Sequence, residues 1–243
     1  MNSPFTLSNK TVLVTGASSG IGRAIAISCS MMGASVYITG RNLSKLEETI
    51  SMMDGDNHHF IVADLTNQDD RMSLVSSLPN IDGVVNNAGV GSRVLCKNIT
   101  EFDIDNVMYI NFKSPVLLQS LLLNQKKINK GGSVVFIASR AYDSPSIGNA
   151  IYSASKGAII SYAKCLGLEV APRKIRVNCI CPAMVWTDLI LQDGITKEDM
   201  EEAQKSYPLK RYGTPDDIAN LVVYLLSDAS VWMTGSCIDI TGG

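Results

Sequence analysis

Short apolar runs alternate along the chain with longer segments in which apolar residues recur every three or four positions. The short runs predict β-strands, and the longer segments predict helices that bury one side. Strands are predicted at residues 11–15, 35–39, 59–63, 81–85, 133–138, 175–181 and 236–240. Helices are predicted at residues 21–32, 43–52, 68–78, 102–123, 151–170 and 215–226. The chain is therefore expected to repeat a strand and helix unit.

Strands that alternate with helices predict an α/β fold in which right-handed crossovers connect parallel strands. The expected architecture is a doubly wound parallel sheet, or Rossmann fold, with helices on both faces. The sequence contains no linker, repeat or low-complexity stretch, so we expect a single domain over residues 1–243. The segments 102–123 and 151–170 are apolar on more than one side. They predict a subunit interface in a homodimer or homotetramer, although a thick monomeric core would give the same pattern.

Composition narrows the range of partners and locations. The 243 residues are 46% hydrophobic with a formal net charge of −2, which allows a sizeable core and does not favour nucleic acid. The longest strongly apolar stretch, 116–123, is far below the roughly 20 residues needed to cross a bilayer, and no secretory signal is visible. We therefore expect a soluble, cytoplasmic protein without a membrane partner. Scattered cysteines and two adjacent histidines, His58 and His59, predict reduced thiols and no metal site.

A glycine-rich turn joins the first strand to the first helix. Glycines allow the backbone to turn tightly and approach a ligand, while a helix N-terminus offers free N–H groups to a phosphate. A turn of this kind can also be a simple connector. Its position between strand and helix predicts binding of a dinucleotide pyrophosphate by Gly16, Ser18, Ser19, Gly20, Ile21 and Gly22.

Residues at the ends of the next strands suggest how the rest of a dinucleotide is held. The second strand is followed by Arg41, with no acidic residue for a ribose 2′-hydroxyl. Arg41 could hold a 2′-phosphate, so NADP(H) is the preferred cofactor and NAD(H) the alternative, unless Arg41 is simply exposed. Asp64 could accept from the adenine amino group or cap the next helix. Asn87, Ala88 and Gly89 suit close approach of the backbone to the cofactor, or a turn.

Tyr152 and Lys156 are four residues apart in a predicted helix, so their side chains point to the same side. A phenol can donate a proton, and a nearby ammonium group favours its ionised form. Reduction of a ketone, or oxidation of an alcohol, requires such a proton donor or acceptor. A surface tyrosine beside a solvated lysine would show the same spacing.

Several short motifs occur together in a fixed order. They are TGASSGIG at 15–22, Asp64-Leu65, NNAG at 86–89, Asn111, Ser139 and YSASK at 152–156. In this joint pattern the chain resembles the short-chain dehydrogenase/reductase family over essentially its whole length. Its length and C-terminal segment are most similar to the 3-oxoacyl-carrier-protein reductases of that family.

The resemblance implies catalytic roles for four residues. Tyr152 would pass a proton to or from the substrate oxygen, and Ser139 would hold that oxygen by a hydrogen bond. Lys156 would bind the nicotinamide ribose and favour ionised Tyr152. Asn111 would anchor a water molecule that links Lys156 to solvent.

The resemblance also implies further contacts. Additional cofactor contacts would come from Leu65, Pro182, Val185 and Thr187, and substrate contacts from Met184 and Trp186. A segment at about 183–210 is expected to cover the substrate, with Leu189, Ile190 and Leu191 adding apolar surface.

The sequence departs from the family pattern at two places. Ala183 stands where glycine is usual, and would be strained if that position requires a positive φ. Arg140 stands where a small residue is common, and could meet an acidic substrate group or pair with a neighbour. Lys130 and Arg173 fall where carrier-protein reductases have basic residues for an acidic carrier, although solvated surfaces would explain them equally well.

The function that follows is an NADP(H)-dependent oxidoreductase that interconverts a ketone and a secondary alcohol. A 3-oxoacyl thioester on a carrier is one expected substrate. A sugar, polyol or steroid substrate is the alternative within the family. A regulator that binds NADPH without turnover is the alternative from another class.

Overall fold

The computed structural model describes residues 3–187 and 196–243. Within them, seven strands form one sheet in the order β3-β2-β1-β4-β5-β6-β7, and each neighbouring pair is parallel. The strands are β1 Thr11–Thr15, β2 Ser35–Gly40, β3 His58–Val62, β4 Ile81–Asn86, β5 Ile128–Ile137, β6 Arg176–Pro182 and β7 Cys237–Ile240. This arrangement confirms the predicted doubly wound α/β fold.

Helices cover both faces of the sheet. They are α1 Gly20–Met31, α2 Leu43–Ser51, α3 Gln68–Ser77, α4 Glu101–Met108, α5 Ser114–Asn124, α6 Ala150–Val170, α7 Lys197–Ala203 and α8 Pro215–Leu226. One apolar cluster joins α1, α2 and α8 to the sheet, and a second joins α3, α5 and α6 to it. Val12 and Val14 belong to the first cluster and Leu13 to the second, because successive strand residues point to opposite faces.

Two predicted elements differ from those observed by more than one residue at an end. Strand β5 begins at Ile128 rather than residue 133, and a bulge interrupts its pairing with β4: Ile81 pairs with Ile128, but Gly83 pairs with Ser133. Gly131 has a φ of +83° within the bulge. The polar and glycine residues at this point hid the strand from a search for apolar runs.

The predicted helix 102–123 is also interrupted. A π-helical turn, Tyr109–Lys113, separates α4 from α5, and the N–H of Ser114 donates to the carbonyl of Tyr109. Such wide turns are frequent at functional sites. This one contains Asn111.

The strand order determines where a ligand can bind. The chain proceeds outward from β1 to β3 in one direction and from β4 to β7 in the other, so β1 and β4 are neighbours at the reversal point. In open α/β sheets, ligands bind in the crevice at the carboxyl ends of strands at such a point.

The helices of residues 3–187 and 196–243 include none with the length and hydropathy of a membrane-spanning segment.

Hydrogen bonds fix the ends of β1 and β4 to each other. Thr15 Oγ1 accepts from the backbone N–H groups of Asn87 (3.0 Å) and Ala88 (3.1 Å). The Asn87 side chain donates to the carbonyls of Thr15 and Gly16, both at 3.1 Å. A Cβ atom on Gly22 would lie 2.2 Å from the Gly16 carbonyl oxygen. The glycine-rich loop therefore packs too tightly against α1 for any side chain at position 22.

We predict that Gly22→Ala destabilises the protein by about 1–3 kcal/mol, because the added methyl group would meet the backbone carbonyl of Gly16 and the hydrogen-bonded amide of Asn87. Gly157→Ala is the matched control, since a Cβ on that helical glycine has nothing within 4 Å. It should be neutral or stabilise the protein by about 0.5–1 kcal/mol. Urea unfolding of both variants measures the difference. Equal stability of the two would contradict the packing argument.

Candidate active site

The carboxyl ends of the strands line a cleft of about 1140 Å³. It extends from the glycine-rich loop after β1 to the first two turns of α6. The predicted site residues that line it are Gly16, Ser18, Ser19, Gly20, Ile21, Arg41, Asp64, Leu65, Asn87, Ala88, Gly89, Ser139, Tyr152, Lys156, Pro182, Met184, Val185 and Thr187. The structure thus brings together residues that are widely separated in the sequence.

Three predicted site residues are not among those that line the cleft. Gly22 supports the glycine-rich loop from behind, and Asn111 is buried beneath the loop after β4. The Trp186 indole N–H donates to Gln204 Oε1 at 3.3 Å, and its ring packs against Tyr212 with centroids 5.6 Å apart. Trp186 therefore packs beside the cleft residues without lining the cleft, and its predicted substrate contact stays a prediction. The predicted apolar cover residues Leu189, Ile190 and Leu191 lie outside the described part of the chain.

Lys156 is held at the centre of the cleft. Lys156 is 6% exposed, and its Nζ donates a hydrogen bond of 2.9 Å to the carbonyl of Ile137, the last residue of β5. The same Nζ lies 5.6 Å from the centroid of the Tyr152 ring, one helical turn earlier. A buried ammonium group needs compensating partners, so this position fixes it beside the phenol. Tyr152 itself is only half buried and lines the cleft.

Ser139 follows β5 and lies in the same cleft. Its Oγ accepts from the N–H of Ala141 at 3.2 Å and caps the short helix Arg140–Tyr142. The Ser153 hydroxyl donates to the carbonyl of Ala141, which ties that short helix to α6. The hydroxyl hydrogen of Ser139 has no partner among the described residues and can donate to a substrate oxygen.

Asn111 makes three hydrogen bonds from a position that is 3% exposed. Its Nδ2 donates to the carbonyl of Val90 at 2.9 Å and to Ser155 Oγ at 3.1 Å, while its Oδ1 accepts from the N–H of Val90 at 2.8 Å. A Cβ on Gly89 would lie 3.1 Å from Asn111 Oδ1 and 3.6 Å from Lys156 Nζ. The side chain of Asn111 therefore fixes the loop after β4 close to Lys156. The water-anchoring role stays a prediction.

The glycine-rich loop fits a pyrophosphate group. Gly16 has a φ of +64°, and a Cβ there would lie 2.8 Å from Ala88 Cα. Gly20 begins α1 with a φ of +53°. Ser19 precedes the helix and makes no side-chain capping bond, so its hydroxyl and the first N–H groups of α1 are available to an anion. Arg23 holds the loop from outside, since its guanidinium donates to the Ser18 carbonyl at 2.8 Å.

Asp64 and Arg41 lie at the far side of this loop. Partial burial would raise the pKa of the Asp64 carboxyl, but hydrogen bonds from Thr66 and the charges of Arg41 and Arg71 offset that effect and hold the pKa below its usual value. Thr66 donates to Asp64 Oδ1 through its N–H (2.9 Å) and its hydroxyl (2.7 Å). The Asp64 carboxyl is thus ionised, and its Oδ2 accepts no hydrogen bond from a described residue and can accept one from a ligand.

Two departures from the family pattern have simple outcomes. Ala183 is not among the described non-glycine residues with positive φ, so the strain considered for it does not arise. Its N–H donates to the carbonyl of Ile240 at 3.1 Å. Arg140 pairs with neighbours: its Nη1 lies 2.6 Å from Asp143 Oδ2 and 3.1 Å from Asp239 Oδ2.

Several polar residues of the cleft had no role predicted from the sequence, and Thr15 and Asp239 are two of them. Each is a polar residue toward the C-terminal end of an apolar strand, and this position could have identified them from the sequence.

Lys130 and Arg173 lie near the starts of β5 and β6, at the edge opposite the cleft. Within residues 3–187 and 196–243, no group of three or more histidine, cysteine, aspartate or glutamate residues could hold a metal ion.

We predict that Asn111→Ala destabilises the protein by about 1–3 kcal/mol, because it removes the partners of the Val90 N–H and carbonyl in a buried place. The exposed residue Asn106 on the preceding helix α4 gives the matched control. Asn106→Ala should change stability by no more than about 0.5 kcal/mol. Urea unfolding without cofactor measures both, and a similar small effect at position 111 would argue against this anchoring role.

Comparisons with known sequences identify the family of the chain. Residues 16–243 match the family model described as Enoyl-(Acyl carrier protein) reductase. A 3-oxoacyl-[acyl-carrier-protein] reductase of Rickettsia felis is 35% identical over 237 residues, which cover 98% of this chain and 97% of the relative. Dehydrogenase/reductase SDR family member 4 of Homo sapiens is 32% identical over 98% of this chain and 88% of the relative.

Solved structures are similar over the same length. A dehydrogenase/reductase from Sinorhizobium meliloti 1021 has a TM-score of 0.88 with 31% identity, and covers 99% of this chain and 96% of its own. A second structure is described as a candidate NAD(P) dependent gluconate 5-dehydrogenase from Beutenbergia cavernae with NADP bound at low occupancy. Its TM-score is 0.90 with 29% identity, and the match covers 99% of this chain and 98% of that one. The chain therefore belongs to the short-chain dehydrogenase/reductase family of oxidoreductases, which act on carbonyl and alcohol groups with a nicotinamide cofactor.

Proposed function

We propose that the protein is an NADP(H)-dependent oxidoreductase that interconverts a ketone and a secondary alcohol, with Tyr152 as the proton donor and acceptor. The observation that carries this proposal is the position of Tyr152 and Lys156. Both line one cleft with a glycine-rich loop whose free N–H groups suit a pyrophosphate. A nicotinamide bound there would supply the hydride, and the protein would supply orientation and the proton.

Each catalytic side chain has a distinct task in this proposal. During reduction, the Tyr152 hydroxyl gives its proton to the carbonyl oxygen as negative charge develops on it. The Ser139 hydroxyl donates a hydrogen bond to the same oxygen and keeps it in place. Lys156, fixed by the Ile137 carbonyl, stabilises the phenolate that remains on Tyr152 and can donate to ribose hydroxyls. Oxidation of an alcohol reverses these transfers.

We predict that Tyr152→Phe lowers kcat by about 10²–10⁴-fold, because a positioned proton donor contributes a factor of that size. NADPH binding, followed by fluorescence titration, should stay within about threefold because the ring remains. Tyr162→Phe is the matched control: Tyr162 is on the same helix, but its ring packs edge-on against Phe112 and Phe136. That variant should keep its turnover. Undiminished turnover of the Tyr152 variant would remove the proposed mechanism.

The preference for NADP(H) rests on Arg41. This exposed residue follows β2 and lines the cleft. Ser18 Oγ lies 3.5 Å from the position that a Cβ on the adjacent Gly40 would take, so a hydroxyl and a guanidinium flank the same corner. Both can donate hydrogen bonds to a 2′-phosphate. Asp64, which the sequence analysis assigned to the adenine, would accept from its amino group.

We predict that Arg41→Ala weakens NADPH binding by about 10- to 100-fold, the effect of a lost hydrogen bond from a charged group, and weakens NADH binding by less than about threefold. Lys45→Ala is the control, since it removes one exposed positive charge from the nearby helix α2. It should change both affinities by a similar small factor. Parallel losses for the two cofactors in the Arg41 variant would refute recognition of a 2′-phosphate.

Two substrate classes are supported by different observations. The curated relatives described as 3-oxoacyl-[acyl-carrier-protein] reductases support an acyl thioester on a carrier. The similar structure described as a candidate gluconate 5-dehydrogenase supports a hydroxylated substrate, as do the polar residues Ser144, Ser146 and Asn149 in the cleft. NADPH oxidation with acetoacetyl-coenzyme A and with a panel of keto-sugars separates them. Lys130 and Arg173 do not line the cleft, and their contact with an acidic carrier stays a prediction from the sequence.

Exposed apolar side chains support the proposed association into a homodimer or homotetramer. Phe102 is 77% exposed and Leu168 is 78% exposed, on α4 and α6 respectively. Both residues belong to the segments 102–123 and 151–170 whose apolar sides predict the subunit interface. The expected cytoplasmic location stays a prediction from the sequence.

A further inference from the structure

Arg140, Asp143 and Asp239 form a charged cluster beside the proposed catalytic residues. The Nη1 of Arg140 lies 2.6 Å from Asp143 Oδ2 and 3.1 Å from Asp239 Oδ2. Arg140 and Asp239 both line the cleft, and Arg140 directly follows Ser139. Asp239 reaches this place from β7, where it pairs in register with Cys181 of β6. The cluster therefore connects the turn that carries Ser139 to the last strand of the sheet.

The cluster leaves hydrogen-bonding groups for a ligand. Only Nη1 of Arg140 makes a hydrogen bond to another described residue, so Nε and Nη2 keep three N–H donors. No described donor hydrogen-bonds to Asp239 Oδ1, which can accept. The side chains of Arg140 and Asp239 are 33% and 39% exposed, so they are shielded more than ordinary surface charges. Donors and an acceptor thus lie side by side at the cleft.

The charge of the cluster indicates which ligand group fits. One guanidinium faces two carboxylates, so its positive charge is already matched. A free carboxylate of a substrate would have to compete with Asp143 and Asp239 for Arg140 and would lie close to both. An uncharged oxygen accepts a hydrogen bond from the guanidinium without that repulsion.

We propose that Arg140 and Asp239 determine substrate specificity by binding an uncharged oxygen of the substrate next to the reacting carbonyl. The inference rests on the proposed function and specifies which ketones it takes. The oxygen can be the carbonyl of an ester or thioester, which needs only the donors of Arg140. It can also be a hydroxyl, which in addition donates to Asp239.

Four methyl ketones of similar size test the proposal with NADPH. Ethyl acetoacetate carries an ester carbonyl, 4-hydroxy-2-butanone a hydroxyl and acetoacetate a free carboxylate, while 2-pentanone carries no second oxygen. We expect the wild-type protein to have a higher kcat/KM for at least one of the two uncharged oxygen-bearing ketones than for 2-pentanone or acetoacetate. A preference for acetoacetate over both would overturn the charge argument.

Variants identify the residues that cause the preference. Arg140→Met should lower the ratio of kcat/KM for the preferred ketone to that for 2-pentanone by about tenfold, the effect of one hydrogen bond. Arg140→Lys, which restores a donor, should recover part of the ratio. The exposed residue Arg93 does not line the cleft, and Arg93→Met should leave the ratio unchanged. A parallel loss for all four ketones in the Arg140 variants would mean a structural role only.

Asp239→Asn distinguishes the two sources of the oxygen. If the bound group is a hydroxyl, this variant should lower the ratio of kcat/KM for 4-hydroxy-2-butanone to that for 2-pentanone at least fivefold, because an amide is a weaker acceptor than a carboxylate. If the group is an ester carbonyl, the ratio of kcat/KM for ethyl acetoacetate to that for 2-pentanone should stay unchanged. The kcat/KM for acetoacetate should rise, because one negative charge has been removed from the cluster. No change in any ratio would exclude Asp239 from specificity. Lack of turnover with every ketone, despite NADPH binding, would instead refute the proposed function and this inference with it.

Discussion

The buried ammonium group of Lys156 is the constraint on which the site depends. A charge in a low-dielectric interior is costly unless it has partners. The carbonyl of Ile137 provides one at 2.9 Å, and no carboxylate within the described residues pairs with Lys156. Its remaining N–H donors are therefore available for groups in the cleft. The geometry stabilises negative charge beside it, which is the chemistry that a tyrosine proton donor requires.

The position of Lys156 follows from the sheet rather than from α6 alone. Ile137 is the last residue of β5, and β5 lies beside β4, whose end is tied to β1 through Asn87 and Thr15. Asn111 adds a further connection, since its amide fixes Val90 in the loop after β4. Three strand ends thus determine one cleft. The π-helical turn that contains Asn111 belongs to this arrangement, because it widens the helix where the amide must reach the loop.

The sequence was sufficient for most of the fold because alternating apolar runs and amphipathic segments report directly on strands and helices. It failed where polar or glycine residues occur inside an element. The start of β5 contains Asn129, Lys130 and Gly131. The sequence there has no apolar run, although the segment pairs with β4. The π-helical turn at Tyr109–Lys113 was not predictable either, because its apolar residues are compatible with a continuous helix.

For the site, short motifs identified residues near strand ends but not the direction of every side chain. Trp186 has neighbours in the sequence that line the cleft, yet its indole is held by Gln204, eighteen residues away. Such a contact depends on tertiary structure and leaves no local signal. Asp239 is the converse example. It reaches the cleft because β7 lies beside β6, whereas the sequence shows only an acidic residue in a short strand.

Two of the cations that line the cleft, Arg140 and Lys156, have different partners, and this difference has a physical consequence. Arg140 is paired with Asp143 and Asp239, whereas Lys156 hydrogen-bonds to a neutral carbonyl. A carboxylate paired with Lys156 would compete with the negative charge that the proposed mechanism places on Tyr152. The pairing of Asp239 with Arg140 keeps the negative charge of Asp239 engaged on β7. In the proposed mechanism, the arginine that departs from the family pattern can therefore act on specificity while Lys156 acts on Tyr152.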